Sequence, residues 1–226
     1  MERIFGIILA AGCGSRMGSD ITKQRMLILG KTVLRRAYDA FADCDEITDI
    51  IVVAREDELD VVKAELCGAK KLFCIVAGGN SRAESARCGF LAAADAAYVA
   101  IHDAARCIVS PADISRVISD AKRYGAASAV VSVYDTVKEI GDDGFIASTH
   151  DRTKIKLAAT PQVFRYSIYK AALDKAVDLS RITDDNMLVE KSGYKIYATE
   201  VSRANIKITH SEDIPYAEFL IGGKDA

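Results

Sequence analysis

Three glycines and two cations stand close together near the N-terminus: Gly12, Gly14 and Gly18 in AAGCGSRMG, with Arg16 among them and Lys23 just beyond. Glycine has no Cβ, so its backbone turns sharply and lets anionic oxygen approach the N–H groups. Arg16 would add a planar fork of donors and Lys23 a point charge. The run that precedes them, Ile4, Phe5, Ile7, Ile8 and Leu9, is the kind of strand that is buried on both faces of a sheet. Together these pieces suggest a cradle for a nucleoside triphosphate. Spacing excludes two familiar phosphate loops. The dinucleotide fingerprint fails because Gly18 falls one place late after Gly14, and the triphosphatase loop fails because Arg25 stands where Gly30-Lys31-Thr32 would need a glycine. The competing reading is a tight strand-to-helix turn with solvated charges.

Two later loops carry further candidates. Gly78-Gly79-Asn80 follows an apolar run, and Ser81 to Ser85 open a helix, which leaves room for a planar base against bare backbone. A simple turn is the alternative there. In His102-Asp103-Ala104-Ala105-Arg106, a carboxylate at a strand end could hold Mg²⁺ or a substrate hydroxyl above a shallow alanine floor. The plainer possibility is an ion pair between Asp103 and Arg106. Asp43-Cys44-Asp45 has the form of a metal-binding pair, but it ends a helix away from these loops and is set aside.

The elements that must position these residues alternate. Strands are expected at Ile47 to Val53, Leu72 to Val76, Tyr98 to Ile101, Ala129 to Val133, Lys195 to Val201 and briefly around Ile206. Helices are expected at Lys31 to Cys44, Glu56 to Leu66, Ser81 to Ala94, Tyr166 to Leu179, Thr183 to Ser192 and from Ser211. Ser110-Pro111-Ala112-Asp113 opens another, running to about Tyr124, with Ser110 as N-cap, Pro111 in the first turn and Asp113 complementing the helix dipole. Such alternation implies right-handed crossovers and a mostly parallel sheet with helices on both faces, the Rossmann-like α/β class. The pattern breaks from Asp135 to Pro161, a polar passage without helical period, expected as an arm or extended hairpin outside the sheet. In an open parallel sheet, ligands lie beyond the carboxyl ends of the strands, where all three candidate loops fall.

Composition narrows the function classes. The chain has 226 residues, half of them apolar, and a formal charge of −2, so one core can form and no global field favours nucleic acid or an anionic membrane. No apolar run is long enough to span a bilayer, which points to a cytoplasmic protein with small-molecule partners. The six cysteines show no Cys-x-x-Cys pair and the three histidines no zinc spacing. Cys13 and Cys107 alone fall in the candidate loops.

AAGCGSRM with Lys23-Gln24 after it, then GGNSRAES, HDAAR, DRTK followed by TPQ, TDD and NIKIT, resemble in this order the 2-C-methyl-D-erythritol 4-phosphate cytidylyltransferases of the non-mevalonate isoprenoid pathway. The resemblance spans essentially the whole chain. It implies a single nucleotidyltransferase domain over residues 1–226 of GT-A-like fold, with a protruding β-arm at about 135–160 that embraces a second subunit. It implies that Arg16 and Lys23 bind the triphosphate of CTP, with Gly12, Gly14 and Ser15 lending backbone. Ala10, Ala11, Gly79, Asn80 and Ser85 would surround cytosine and ribose. Asp103, Arg106, Thr136, Thr183 and Lys207 would hold the sugar phosphate, Arg152 would come from the partner's arm, and Mg²⁺ or another divalent cation would be the cofactor, with Asp103 its one candidate ligand. The chain departs from the family's habit at Thr22 and Cys107, where proline is common, and at Asn80, where aspartate is frequent. A relative acting on another polyol phosphate such as ribitol 5-phosphate is the near alternative. A nucleotide-binding homologue without turnover is the remote one, and the failed glycine register disfavours dinucleotide redox chemistry.

Overall fold

The computed structural model describes residues 2–12 and 22–223. In chain order the elements are β1 (Ile4–Leu9), a small hairpin of β2 (Leu27–Ile28) and β3 (Lys31–Thr32), α1 (Val33–Ala42), β4 (Asp49–Ala54), α2 (Leu59–Glu65), β5 (Leu72–Ala77), α3 (Arg82–Ala92), β6 (Tyr98–Asp103), α4 (Pro111–Tyr124) and β7 (Ala126–Ser132). The hairpin β8 (Lys138–Ile140) and β9 (Ile146–Thr149) follows, then β10 (Lys156–Arg165), α5 (Tyr166–Lys175), α6 (Asp185–Lys191), β11 (Tyr197–Glu200) and α7 (Asp213–Gly222).

Seven strands form the central sheet in the order β11-β7-β10-β6-β1-β4-β5. Strand β10 runs antiparallel to both its neighbours, and every other pairing is parallel. The alternating side chains of β1 explain the two-sided core. Ile4 and Ile8 join the layer under α1, α2 and α4, where Leu34, Phe41, Val62 and Val117 are buried. Phe5, Ile7 and Leu9 face the layer under α3, α5 and α6, with Phe90, Tyr169 and Leu188. Gly89 of α3 is a glycine by necessity, since a Cβ there would stand 2.4 Å from Ile7 Cγ2. The capping pattern of α4 is realised: the Asp113 N–H donates to Ser110 Oγ at 3.1 Å, and Gly125 closes the helix at φ +90°.

Two expectations need correction. No strand forms around Ile206 among the described residues; that segment instead runs beside the His102–Arg106 loop, with the Ile208 N–H donating to Ala105 O at 2.8 Å. The passage expected outside the sheet ends earlier than 160, because β10 begins at Lys156 and pairs with β7 from there. Its first residues are exposed, so no apolar run announced the strand. The β2–β3 hairpin was also illegible, its strands being only two residues each. The arm itself, β8 and β9, forms a separate two-stranded sheet whose residues are all exposed.

Candidate active site

A cleft of about 680 Å³ opens at the carboxyl ends of β1, β4, β5 and β6. Ala11, Gly12, Lys23, Gly79, Asn80 and Ser85 line one side of it, and Asp103 and Lys207 the other. Residues far apart in the chain are thus brought to one cavity because each follows a strand of the same sheet. Ala10 is buried beneath the cleft, its N–H donating to Val53 O at 2.7 Å. Gly14, Ser15 and Arg16, like Cys13, lie outside the described residues.

On the first side the backbone is shaped by close approach. A Cβ on Gly78 would sit 2.5 Å from Ala11 Cβ and 2.7 Å from Ser85 Oγ, and one on Gly79 2.5 Å from Glu84 Cβ. These glycines let the β5 loop close on the β1 loop and on α3. Ser81 and Glu84 form a reciprocal capping box at the start of α3, and Glu84 Oε2 also accepts from the Asn80 N–H at 2.7 Å. Gln24, buried, donates from Nε2 to Gly12 O at 3.2 Å and so ties the turn carrying Lys23 to the end of β1. Thr22, where the resemblance implies proline, has φ −64° and ψ 146°, and its hydroxyl donates to Glu58 Oε1 at 2.7 Å. The backbone angle that proline would preset is adopted here with a side-chain tether beside it.

On the second side lies a network of buried polar groups. Arg82 donates from Nε to Asp103 Oδ1 at 2.8 Å and from Nη1 to Asp185 Oδ2 at 2.7 Å, and Lys207 Nζ donates to Asp103 Oδ2 at 2.7 Å. Burial pushes the Asp103 carboxyl up, but the Arg82 and Lys207 charges outweigh it and hold it well below the usual carboxylate range. The ion pair between Asp103 and Arg106 considered from sequence is absent. Arg106 instead donates to Asn205 O at 2.9 Å and Ala158 O at 3.2 Å, which bring β10 and the loop after β11 to the same place.

Beneath this surface, the Asp103 N–H donates to Thr160 Oγ1 at 3.1 Å, while that hydroxyl lies 2.9 Å from His102 Nδ1. Arg106 O can only accept, so His102 bears a ring proton on Nε2, 3.2 Å from it. Burial lowers the His102 pKa to about 4, so at neutral pH the ring is uncharged and its bare Nδ1 accepts from the Thr160 hydroxyl. Thr160 reaches this point because the register of β10 shifts between Ala158 and Gln162, re-aiming side chains as strand irregularities do.

The remaining candidates are not gathered by this chain. Thr183 is exposed before α6, and Thr136 and Arg152 are exposed at the base of the arm, where Arg152 bonds Tyr134 O. Sequence reasoning missed Arg82, Asp185 and Thr160, although GGNSRAES, TDD and TPQ contain them. Nothing local marked Arg82, and its partner Asp185 lies 103 positions away. No cluster of three or more metal-ligating side chains occurs among the described residues. A hard cation fits nonetheless as Mg²⁺ is commonly bound, by substrate phosphates and one carboxylate, and Asp103 faces the cleft to serve as that carboxylate.

The profile of the family described as IspD, 2-C-methyl-D-erythritol 4-phosphate cytidylyltransferase, matches residues 4–223. A 2-C-methyl-D-erythritol 4-phosphate cytidylyltransferase of Lachnoclostridium phytofermentans is 40% identical over 227 residues, covering 98% of this chain and 97% of that protein. One of Clostridium acetobutylicum is 40% identical over 219 residues, covering 95% and 96%. Among solved structures, the 4-diphosphocytidyl-2C-methyl-D-erythritol synthase of Anaerococcus prevotii superposes with a TM-score of 0.87 at 29% identity, covering 98% of this chain and 99% of that one. The Thermus thermophilus 2-C-methyl-D-erythritol 4-phosphate cytidylyltransferase gives 0.76 at 28% identity, covering 97% and 98%.

Proposed function

The chain belongs to the 2-C-methyl-D-erythritol 4-phosphate cytidylyltransferase family, and on that premise we propose that it transfers CMP from CTP to 2-C-methyl-D-erythritol 4-phosphate, releasing pyrophosphate. The observation that carries the assignment of roles is the single cleft shared by Ala11, Gly79 and Ser85 on one side and Asp103 and Lys207 on the other. The first group binds the nucleotide, with Ala10, Gly12, Gly14, Ser15 and Asn80 completing its surroundings. The second receives the sugar phosphate with Arg106, and Thr183, exposed before α6 outside the cleft lining, would meet the acceptor from there.

A phosphate oxygen of the acceptor attacks the α-phosphorus of CTP in line. A phosphate monoester carries roughly −1.5 to −2 at neutral pH, so no general base is needed. His102, neutral and engaged at both nitrogens, accordingly lies under the floor rather than in the cleft. The obstacle is repulsion between two polyanions. Arg16 and Lys23 hold the triphosphate and stabilise the departing pyrophosphate, while Lys207 orients the incoming phosphate. Asp103 would be the protein ligand of Mg²⁺, which would supply further charge neutralisation there. Thr136 and Arg152 act on the acceptor from the arm of a second subunit. The arm's exposed Ile140, Phe145 and Ile146, 57%, 76% and 63% accessible, support a homodimer in which a partner covers them. No described helix is long and apolar enough to cross a membrane.

Pyrophosphate release from CTP and Mg²⁺, measured with methylerythritol phosphate and ribitol 5-phosphate offered separately, tests the proposal. Release with methylerythritol phosphate is expected. Release with ribitol phosphate alone would reassign the acceptor, and release with neither would leave a nucleotide-binding homologue.

A further inference from the structure

Arg82 leaves the first turn of α3 and divides its guanidinium between two carboxylates, Asp103 at 2.8 Å and Asp185 at 2.7 Å. Asp185 is gripped from its other oxygen by the Tyr169 hydroxyl at 2.6 Å. Since Lys207 takes the second oxygen of Asp103, charges alternate from the cleft into the core: Lys207, Asp103, Arg82, Asp185. The two ends of this row differ in freedom. The Lys207 side chain is 39% exposed on a flexible stem with one carboxylate partner, whereas Asp185 is 2% exposed and doubly held.

An arriving phosphate needs Lys207, which Asp103 already holds. If Lys207 were the sole cation on Asp103, its departure would leave a buried carboxylate unpaired, which is strongly unfavourable, and Asp103 would compete with substrate for it. Arg82 removes that conflict. It is fixed by Asp185 and cannot follow the substrate, so Asp103 stays neutralised while Lys207 swings away.

We propose that Arg82, anchored by Asp185 and Tyr169, is a positioning residue that frees Lys207 to pass from Asp103 to the acceptor's phosphate. The proposal rests on the reading of Lys207 as a phosphate ligand. It accounts for a partly buried arginine at the cleft that binds two carboxylates at a site for polyanions, where its charge would otherwise be largely cancelled.

The test is a double-mutant cycle on the acceptor KM, at saturating CTP and Mg²⁺, with wild type, Arg82→Gln, Asp103→Asn and the double variant. Arg82→Gln is expected to raise the acceptor KM roughly 10-fold or more, the scale of a hydrogen bond to a charged group, while the CTP KM moves less than about 3-fold. Asp103→Asn costs a substrate contact in wild type. In the Arg82→Gln background it also unlocks Lys207, so its cost there is expected to be smaller by about 3-fold or more. Equal or greater cost in that background overturns the proposal, because a merely structural Arg82 would give additive losses. Arg82→Lys, which keeps the charge but reaches one carboxylate, is carried through the same cycle with the same sign expected, and decides the matter if Arg82→Gln does not fold. Lys207→Gln is measured alongside: an acceptor KM within about 2-fold of wild type would sink the phosphate-ligand reading itself, whatever Arg82 does.

Discussion

The floor of the cleft and the arm are built from similar material, strand ends and polar loops, but only one of them is finished by this chain. Around Asp103, His102, Thr160, Arg106 and Asn205 bond one another or backbone from three separate segments. Around Phe145 nothing among the described residues covers the apolar surface, and Thr136 and Arg152 stand exposed at the arm's base. The floor is held by long-range hydrogen bonds in a buried setting, where an unmade bond is costly and a made one is rigid. A two-stranded hairpin is marginal alone and gains its apolar contacts only by association. The difference separates what one subunit positions by itself from what the proposed homodimer would complete.

Three measurements would sharpen or break that division. The largest effect belongs to the cleft: Lys23→Ala is expected to lower turnover on the order of 10²- to 10³-fold, as for loss of one preorganised donor, without altering self-association in solution. Turnover within a few-fold of wild type would remove Lys23 from the chemistry.

The second concerns the floor and pH. His102 has its folded pKa lowered to about 4, below its ordinary value of 6.5, chiefly by burial. Its unfolded form binds the proton first, so its contribution to stability is present above pH 6.5 and is lost as pH falls toward 4, about 3 kcal/mol in all. Urea titrations of the unliganded protein across that window should show the loss in wild type and a flatter profile in His102→Gln. An unchanged slope in the variant would show that the floor's acid sensitivity lies elsewhere.

The smallest effect is at the arm. Phe145→Asp should weaken the homodimer by about 2 kcal/mol, roughly 30-fold in dissociation constant by sedimentation, and raise the acceptor KM while leaving the thermal midpoint of the folded subunit in place. Association unchanged by this substitution would mean that the arm is not the interface.

Much of this was legible along the chain. The apolar run at Ile4 to Leu9, the cap at Ser110 and the alternation of elements are local signals, and apart from the strand around Ile206 the expected helices and sheet strands formed within a few residues of their expected bounds. The glycine pair at 78 and 79 was rightly singled out, but its cause was not legible: a Cβ would strike Ala11, Ser85 and Glu84, residues known to be neighbours only after folding. The antiparallel insertion of β10 was hidden for the same kind of reason, since direction and neighbour are properties of pairing and not of composition.

By itself, then, the sequence determined the element types, the strand-end loops that line the cleft, and through its ordered motifs the family. Local propensity and side-chain period act over a few residues and can be read in order. Only the tertiary structure decided which charge meets which. The ion pair with Arg106 three positions on, weighed as the plainer alternative for Asp103, does not form; Asp103 lies between Arg82 and Lys207, and the brace from Arg82 to Asp185 spans 103 positions. Partners at such separations are chosen by sheet order and burial, which no local stretch encodes.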